Sequence, residues 1–123
     1  AYETIITDFS DNDNKIIESK PLLSKKIYDQ FNQALNSRSK RGHFAEITFI
    51  GVNSANIKEH KKINSVLQVT VDFVAEIITC IKDKEKNIIS GDPEKIKKIY
   101  DTWIFSRDLR SKNPNWQLVD ILT

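Results

Sequence analysis

The spacing of the apolar residues changes near residue 42, and this change divides the chain into a helical part and a β part. Tyr2, Ile5, Ile6 and Phe9 recur at helical spacing, which predicts an amphipathic helix over residues 1–10. From residue 43 onward, apolar and polar residues alternate, which is typical of half-buried β-strands. The pattern therefore predicts helices followed by a sheet.

Two further helices are predicted before the change in spacing. Asp13 can cap a short helix that carries Ile16 and Ile17. Pro21 is expected to open a longer helix, because proline is tolerated in a first turn, and Gly42 is expected to end it. The predicted apolar face of this longer helix comprises Leu23, Ile27, Phe31, Ala34 and Leu35.

Four strands are predicted in the second part of the chain, with polar turns between them. Their approximate ranges are 45–49, 63–80, 96–109 and 116–122. Gly51 is expected to mark a bulge or bend, and Trp103, Phe105 and Leu109 are expected to share one face of the third strand. Helices followed by consecutive strands predict an α+β fold, with N-terminal helices packed on a four-stranded antiparallel sheet.

Composition and charge bear on three questions: nucleic-acid binding, membrane spans and disulfides. The chain has 123 residues and a formal net charge of +2, which gives no charge-based argument for a nucleic-acid-binding protein. No apolar run reaches the length of a transmembrane helix. The single cysteine, Cys80, excludes an internal disulfide, and its apolar surroundings predict a buried, inert thiol.

The chain contains no methionine. We therefore expect residues 1–123 to be a single domain taken from a longer chain, whose N-terminal region is absent.

Candidate chemistry is sparse. His43 and His60 have no cysteine or histidine at ligand spacing, so neither a metal site nor a cofactor is expected. Asp72 and Glu76 share the less apolar face of their predicted strand. Asp101 would need a partner or a raised pKa if buried, and with the adjacent tyrosine at position 100 it forms the one candidate catalytic pair.

Basic residues gather in the predicted hairpins. In a meander the first and third hairpins lie at the same end of the sheet, which would bring Lys58, Lys61 and Lys62 close to Arg110 and Lys112. Such a patch could contact anionic lipid headgroups, at about 1 kcal/mol per basic residue near the surface. Solvated hairpin charge is the plainer interpretation, and both stay open.

The C-terminal stretch resembles a family signature. A Trp-x-Phe-x-Arg-Asp strand begins at Trp103, and Asn-Pro-Asn-Trp followed by a Leu-Val strand ends near Ile121. This order is similar to that of the Tim44-like family, and the likeness is strongest to its alphaproteobacterial branch. Further similar fragments are AYE at residue 1, PLLS at 21–24, YDQF at 28–31, QVTVDFV at 68–74 and GDPE at 91–94.

The resemblance implies a fold and a function. The fold would be a curved four-stranded sheet with N-terminal helices, cone-shaped as in nuclear-transport-factor-two-like and cystatin-like proteins, around an apolar pocket. The function would be that of a non-enzymatic adaptor domain at the bacterial inner membrane, because the eukaryotic relatives act in protein import at the mitochondrial inner membrane. The resemblance does not indicate on which side of the membrane the domain would lie. Its partners would be anionic lipid such as cardiolipin, or a protein of a translocation or assembly machinery. The expected pocket residues are Phe49, Val71, Phe73, Trp103 and Phe105.

Two alternatives remain at this point. A small-molecule enzyme or ligand-binding protein using the same cavity would place a carboxylate of raised pKa inside it. A ribosome-associated module would show one continuous basic face and salt-sensitive RNA binding; DNA is not an expected partner. A cavity filled by its own side chains, or an acid beside a tyrosine hydroxyl, would count against the adaptor hypothesis.

Overall fold

A computed structural model describes residues 2–10, 20–112 and 116–122. The fold is α+β, with a curved antiparallel sheet of five strands and few helices. The helical elements are α1 (Tyr2–Ser10), a 3-10 turn (Lys20–Leu22) and α2 (Lys25–Lys40). The strands are β1 (Phe44–Ile63), β2 (Val66–Lys82), β3 (Ile88–Gly91), β4 (Lys97–Asp108) and β5 (Gln117–Ile121). The predicted helix with Asp13, Ile16 and Ile17, and the side chain of Phe9, lie outside the described residues.

The long helix α2 begins four residues later than predicted. Ser24 is its N-cap and accepts a hydrogen bond from the Ile27 amide at 3.4 Å. The Ser24 amide donates to the Leu118 carbonyl of β5 at 2.9 Å, so this residue is held in an extended conformation and Pro21 falls in the 3-10 turn before it. The start of α2 is therefore set by Ser24, which caps the helix and pairs with β5, and not by Pro21.

The predicted end and most of the predicted apolar face of α2 are confirmed. Gly42 follows the helix with a φ of 71°, a conformation that favours glycine. Ile27 and Leu35 are buried, whereas Ala34 is exposed and Arg38 is buried.

The first strand is much longer than predicted. β1 continues through Gly51 to Ile63, with register shifts against β2 after Phe49, Val52 and Ile57. Each shift changes which residues face the core, so apolar and polar residues do not alternate regularly along β1. The first turn consequently lies at residues 64–65, where Asn64 has a φ of 56°, and the lysines near residue 60 belong to β1 and not to a hairpin. We call residues 44–52 the proximal half of β1 and residues 53–63 its distal half.

A fifth strand replaces a predicted turn. β3 pairs with the end of β2, placing Gly91 opposite Cys80, and β4 pairs with the remainder of the same edge of β2. A β-carbon on Gly91 would lie 2.5 Å from the Thr79 carbonyl oxygen, so only glycine fits this close approach. The interruption between the two strands contains Pro93, which has no amide to donate.

The strand order is β1-β2-β4-β5, with β3 beside β2. Both helices pack on one face of the sheet and share a single core with it. The buried members of this core are Tyr2, Ile5, Leu23, Ile27, Leu35, Ala75, Trp103, Phe105 and Leu118. Trp103 and Phe105 thus lie where alternation predicted. Leu109 lies beyond β4 and is exposed, so its predicted place beside them is wrong. Cys80 is buried, as predicted.

Candidate functional site

The interior predicted as a pocket is occupied by Tyr2 from α1. Its ring stacks on Phe73 with centroids 4.1 Å apart and planes inclined by 13°. It lies 4.7 Å from the Trp103 ring and 6.3 Å from the Phe49 ring. Three of the expected pocket residues therefore form an aromatic cluster around a side chain of the chain itself.

The Tyr2 hydroxyl donates a hydrogen bond to Asp101 Oδ2 at 2.5 Å. Burial raises the pKa of Asp101, and the bond from Tyr2 lowers it in part. Burial raises the pKa of the Tyr2 phenol, and its bond to the Asp101 carboxylate raises it further. The enzyme alternative predicted a buried carboxylate of raised pKa, as Asp101 is, but the tyrosine that contacts it is Tyr2 of α1. Tyr100 lies on the opposite face of β4 and is 66% exposed, so the predicted pair with Tyr100 is wrong.

The Tyr2–Asp101 bond has a structural explanation. A buried phenol needs an acceptor, and Asp101 supplies one from the strand position opposite Phe73. Tyr2 forms part of the wall of the neighbouring groove, whereas Asp101 does not. The carboxylate is therefore directed to α1 and not to a bound molecule in that groove.

An open groove lies on the helix-bearing face beside this cluster, with a volume of about 560 Å³. Its wall is apolar apart from one carboxylate, that of Glu3. The lining residues are Tyr2, Glu3, Val52, Ile57, Val69, Phe73, Phe105 and Trp116. Of the expected pocket residues, Phe73 and Phe105 line the groove. Phe49, Val71 and Trp103 are packed in or against the core.

Sequence reasoning missed six of the eight groove residues, and four of these, Val52, Ile57, Tyr2 and Trp116, were missed for two reasons. Val52 and Ile57 lie on the groove face because they stand opposite Ala75 and Val71, but the intervening bulge puts them out of phase with each other. Tyr2 and Trp116 come from segments outside the central strands. The one sequence signal that β1 continues beyond Gly51 was the presence of Val52 and Ile57, since β-branched residues favour strands.

The predicted basic residues lie at one end of the sheet but not on one face. The Leu109 amide donates to the Ser65 carbonyl at 2.8 Å, which joins the first turn to the loop after β4. Lys61 stands opposite Gln68 and Lys62 opposite Leu67, so these two neighbours point to opposite faces. This arrangement does not give the continuous basic face that the ribosome hypothesis requires.

The three other predicted contact residues are also exposed. Lys58 lies at the last bulge of β1, and Lys112 lies in the loop after β4. Arg110 is paired with Asp108 at 3.4 Å, which reduces its attraction for an anionic surface.

Two buried donors on the groove face lack acceptors among the described residues. They are the Trp103 indole nitrogen Nε1 and the Arg107 guanidinium nitrogen Nε. A buried guanidinium needs an acceptor, and within ranges 2–10, 20–112 and 116–122 the Arg107 Nε has none. Arg107 stands opposite Leu67, as does Lys62 from β1, so both cations lie on the groove face.

Two negative findings apply to the described part of the chain. No cluster of three histidine, cysteine or acidic residues there has the geometry to hold a metal ion. No described helix is both long and apolar enough to cross a bilayer.

Comparison with known proteins gives a family and a set of distant relatives. The model of the Tim44-like domain family matches residues 1–123. The chain is 23% identical over 96 residues to the mouse (Mus musculus) mitochondrial import inner membrane translocase subunit TIM44, covering 76% of this chain and 21% of that protein. It is 23% identical over 101 residues to the probable translocase subunit tin-44 of Caenorhabditis elegans, covering 79% and 24%. The chain thus spans about a quarter of the length of these relatives or less.

Similarity to a solved structure supports the fold. The intermembrane-space region of the chloroplast protein ARC6 superposes with a TM-score of 0.56 and 16% identity, covering 98% of this chain and 88% of that one. At this identity the likeness concerns the fold alone.

Proposed function

Because the chain belongs to the Tim44-like domain family, we propose that it is a non-enzymatic adaptor domain that acts at the inner membrane of a bacterium. The relatives that it matches are subunits of the mitochondrial inner-membrane import translocase. The adaptor would hold an apolar segment of a partner or a lipid chain, and so connect a translocation or assembly machinery to the membrane.

The open groove is the observation that carries this proposal. Its volume of about 560 Å³ falls within the range of about 300–1,000 Å³ of small-molecule sites. Seven of its eight lining residues present apolar or aromatic groups, and Val52 and Ile57 remain exposed at its wall. Exposed apolar surface next to a polar rim is a common feature of sites that bind proteins or membranes.

Both observations named above as counting against the adaptor hypothesis are present, since Tyr2 occupies the interior and its hydroxyl contacts Asp101. The proposal therefore does not use the interior pocket implied by the family resemblance and depends on the open groove alone. Tyr2 fills the interior, and the groove outside it is the place where an apolar ligand would lie. Cardiolipin or another anionic lipid remains the expected membrane component, with Lys58, Lys61, Lys62, Arg110 and Lys112 supplying attraction to its headgroups.

Vesicle flotation with matched variants tests the groove. Ile57→Asp places a charge on a groove residue that is 66% exposed, and Ile96→Asp places the same charge on a residue that is 60% exposed and does not line the groove. We expect Ile57→Asp to reduce recovery with cardiolipin-containing vesicles several-fold, and Ile96→Asp to float like the parent. Equal flotation of both variants would contradict a role for the groove. Equal recovery of the parent with neutral and cardiolipin-containing vesicles at low salt would contradict anionic-lipid binding.

Small-molecule catalysis is a second candidate, favoured by the Tyr2–Asp101 pair alone. It predicts that Asp101→Asn abolishes the biological activity of the full-length protein while leaving its membrane crosslinks to partners unchanged. The adaptor proposal predicts that activity and crosslinking change together. Complementation and crosslinking of the full-length chain, measured in the same cells, distinguish the two.

A further inference from the structure

The long strand β1 forms one edge of the sheet. Among residues 2–10, 20–112 and 116–122, it pairs with β2 alone. An edge strand presents alternate backbone amides and carbonyls outward, and these can pair with an added strand. The distal half of β1 is exposed along most of its length, so its outer edge is accessible.

One section of this edge is regular enough to accept a partner strand. Residues 59–63 pair with residues 66–70 without a register shift. Five residues are close to the mean length of a strand in a sheet. Residues 44–49 also pair without a shift, but they lie in the proximal half, whereas the exposed basic residues Lys58, Lys61 and Lys62 lie in the distal half.

The charge of this section selects the kind of partner. The distal half carries Lys58, Lys61 and Lys62 against a single acidic residue, Glu59. Like charges placed opposite one another destabilise a strand pair, so a second copy of this basic edge is a poor partner. An acidic strand is a good one.

The groove selects a second property of the partner. Val52 and Ile57 belong to β1 and also form one wall of the groove. A strand added outside β1 would continue the sheet past this wall, and its alternate side chains would lie on the groove face. Because side chains alternate between the two faces, apolar side chains would lie on the groove face beside Ile57, and acidic ones would lie on the opposite face beside Lys61.

We propose that the distal half of β1 binds an extended acidic–apolar segment of a partner protein as an additional strand of the sheet. The backbone of the segment pairs with residues 59–63. Its carboxylates contact Lys61 on the face away from the groove, and its apolar side chains extend the groove wall beside Ile57 on the other face. This inference rests on the proposed function, because the apolar side chains of the segment use the wall of the groove.

Fluorescence anisotropy with designed peptides tests the proposal. The probe is a labelled peptide of alternating valine and glutamate, compared with a valine–lysine peptide and with a valine–glutamate peptide N-methylated at every residue, which has no backbone donor on either edge. We expect the acidic peptide to bind at least about tenfold more tightly than either comparison peptide. Comparable binding of the lysine peptide overturns the charge argument, and unchanged binding of the N-methylated peptide overturns strand addition. A lack of binding by the acidic peptide overturns the proposal as a whole.

Charge reversal on the protein provides the matched control. The double change Lys61→Glu with Lys62→Glu is expected to weaken binding of the acidic peptide at least about tenfold and to strengthen binding of the lysine peptide. Lys95→Glu with Lys97→Glu makes the same change in net charge near β3, at residues that are also exposed, and is expected to leave both affinities unchanged. Equal effects of the two double changes would show that net charge alone controls binding.

Vesicle flotation of the same variants separates this proposal from the groove proposal. Unchanged binding of the acidic peptide by the Lys61→Glu, Lys62→Glu variant would overturn the inference, and loss of flotation by the same variant would then leave these lysines with the lipid contact of the proposed function alone. Flotation that depends on Ile57 but not on these lysines, with no peptide binding, would sustain the groove proposal and reject strand addition. Slower hydrogen exchange at residues 59–63 on addition of the acidic peptide is the expected local signature.

Discussion

The proximal and distal halves of β1 pair with the same neighbouring strand but differ in what covers them. In the proximal half, Ala45 is 2% exposed, and Phe49 packs against the core near α1. In the distal half, Ile57 and Ile63 are 66% and 60% exposed. Backbone pairing extends along both halves, whereas burial of side chains does not. The difference shows that one strand can anchor a domain at one end and offer a binding surface at the other.

The largest expected effect compares two alanines in the same strand. Ala45→Asp would place a carboxylate in the buried part of β1 without a partner, and we expect a loss of about 3–5 kcal/mol in the free energy of unfolding. Ala55→Asp makes the same change at an exposed position and should cost no more than about 1 kcal/mol. Urea denaturation followed by circular dichroism measures both. Similar losses would show that the two halves are equally buried in solution.

Removal of the Tyr2 hydroxyl tests how α1 is held on the proximal side of the sheet. Tyr2→Phe retains the ring contacts with Phe49, Phe73 and Trp103 but leaves the Asp101 carboxylate without this donor. We expect a loss of about 1–3 kcal/mol at neutral pH, measured by the same denaturation. Asp101→Asn with Tyr2→Phe should cost less than the sum of the single changes, because both remove one interaction. Additive losses would contradict a direct coupling.

The pH dependence of stability gives a smaller, sign-specific test of the same contact. Burial raises the folded-state pKa of Asp101 above the ordinary value of 3.8, so the folded protein binds this proton more tightly than the unfolded chain does. The contribution of Asp101 to stability is therefore present below pH 3.8 and decreases as pH rises through the folded pKa. From pH 3 to pH 7, the free energy of unfolding of the parent should therefore decrease relative to that of Asp101→Asn. A difference that is constant, or of the opposite slope, would contradict a raised pKa.

The smallest expected effect concerns Gly51, at the junction of the two halves. Its φ is not in the left-handed region, and a β-carbon built on it meets no atom within 4 Å. Gly51→Ala should therefore stabilise the fold by about 0.4–1 kcal/mol, because it restricts the unfolded chain. Gly91→Ala provides a contrast, since Gly91 has a φ of 82° and its β-carbon would meet the Thr79 carbonyl. A destabilised Gly51→Ala variant would show that the bulge itself requires glycine.

The sequence correctly predicted those parts of the fold where apolar residues keep one spacing, either helical or alternating, without a break. Ile27 and Leu35 on α2, and Trp103 and Phe105 on β4, are buried as their spacing indicates. Prediction failed at the distal half of β1, because three register shifts break the alternation and a run of lysines is also typical of a turn. The additional strand β3 was missed because Ser90 and Gly91 have the composition of a turn, whereas pairing with β2 decides their conformation.

The candidate site was less predictable than the fold. Phe73 and Phe105 were identified as apolar positions of central strands, and both line the groove. Tyr2 was identified only as a helical apolar residue, because its contact with Asp101 joins positions that are 99 residues apart. No local pattern encodes such a contact, so the sequence could not show that α1 fills the interior.

The bond between Tyr2 and Asp101 also has a consequence for the order of events during synthesis. A ribosome makes α1 first, but the acceptor of its phenol lies on β4, so α1 cannot dock until most of the sheet has been made. Contacts of such long separation form slowly, and the aromatic surface of β2 and β4 stays uncovered in the meantime. We expect a φ-value near zero for Tyr2→Phe in refolding kinetics, with the first helix closing over the domain as one of its last steps.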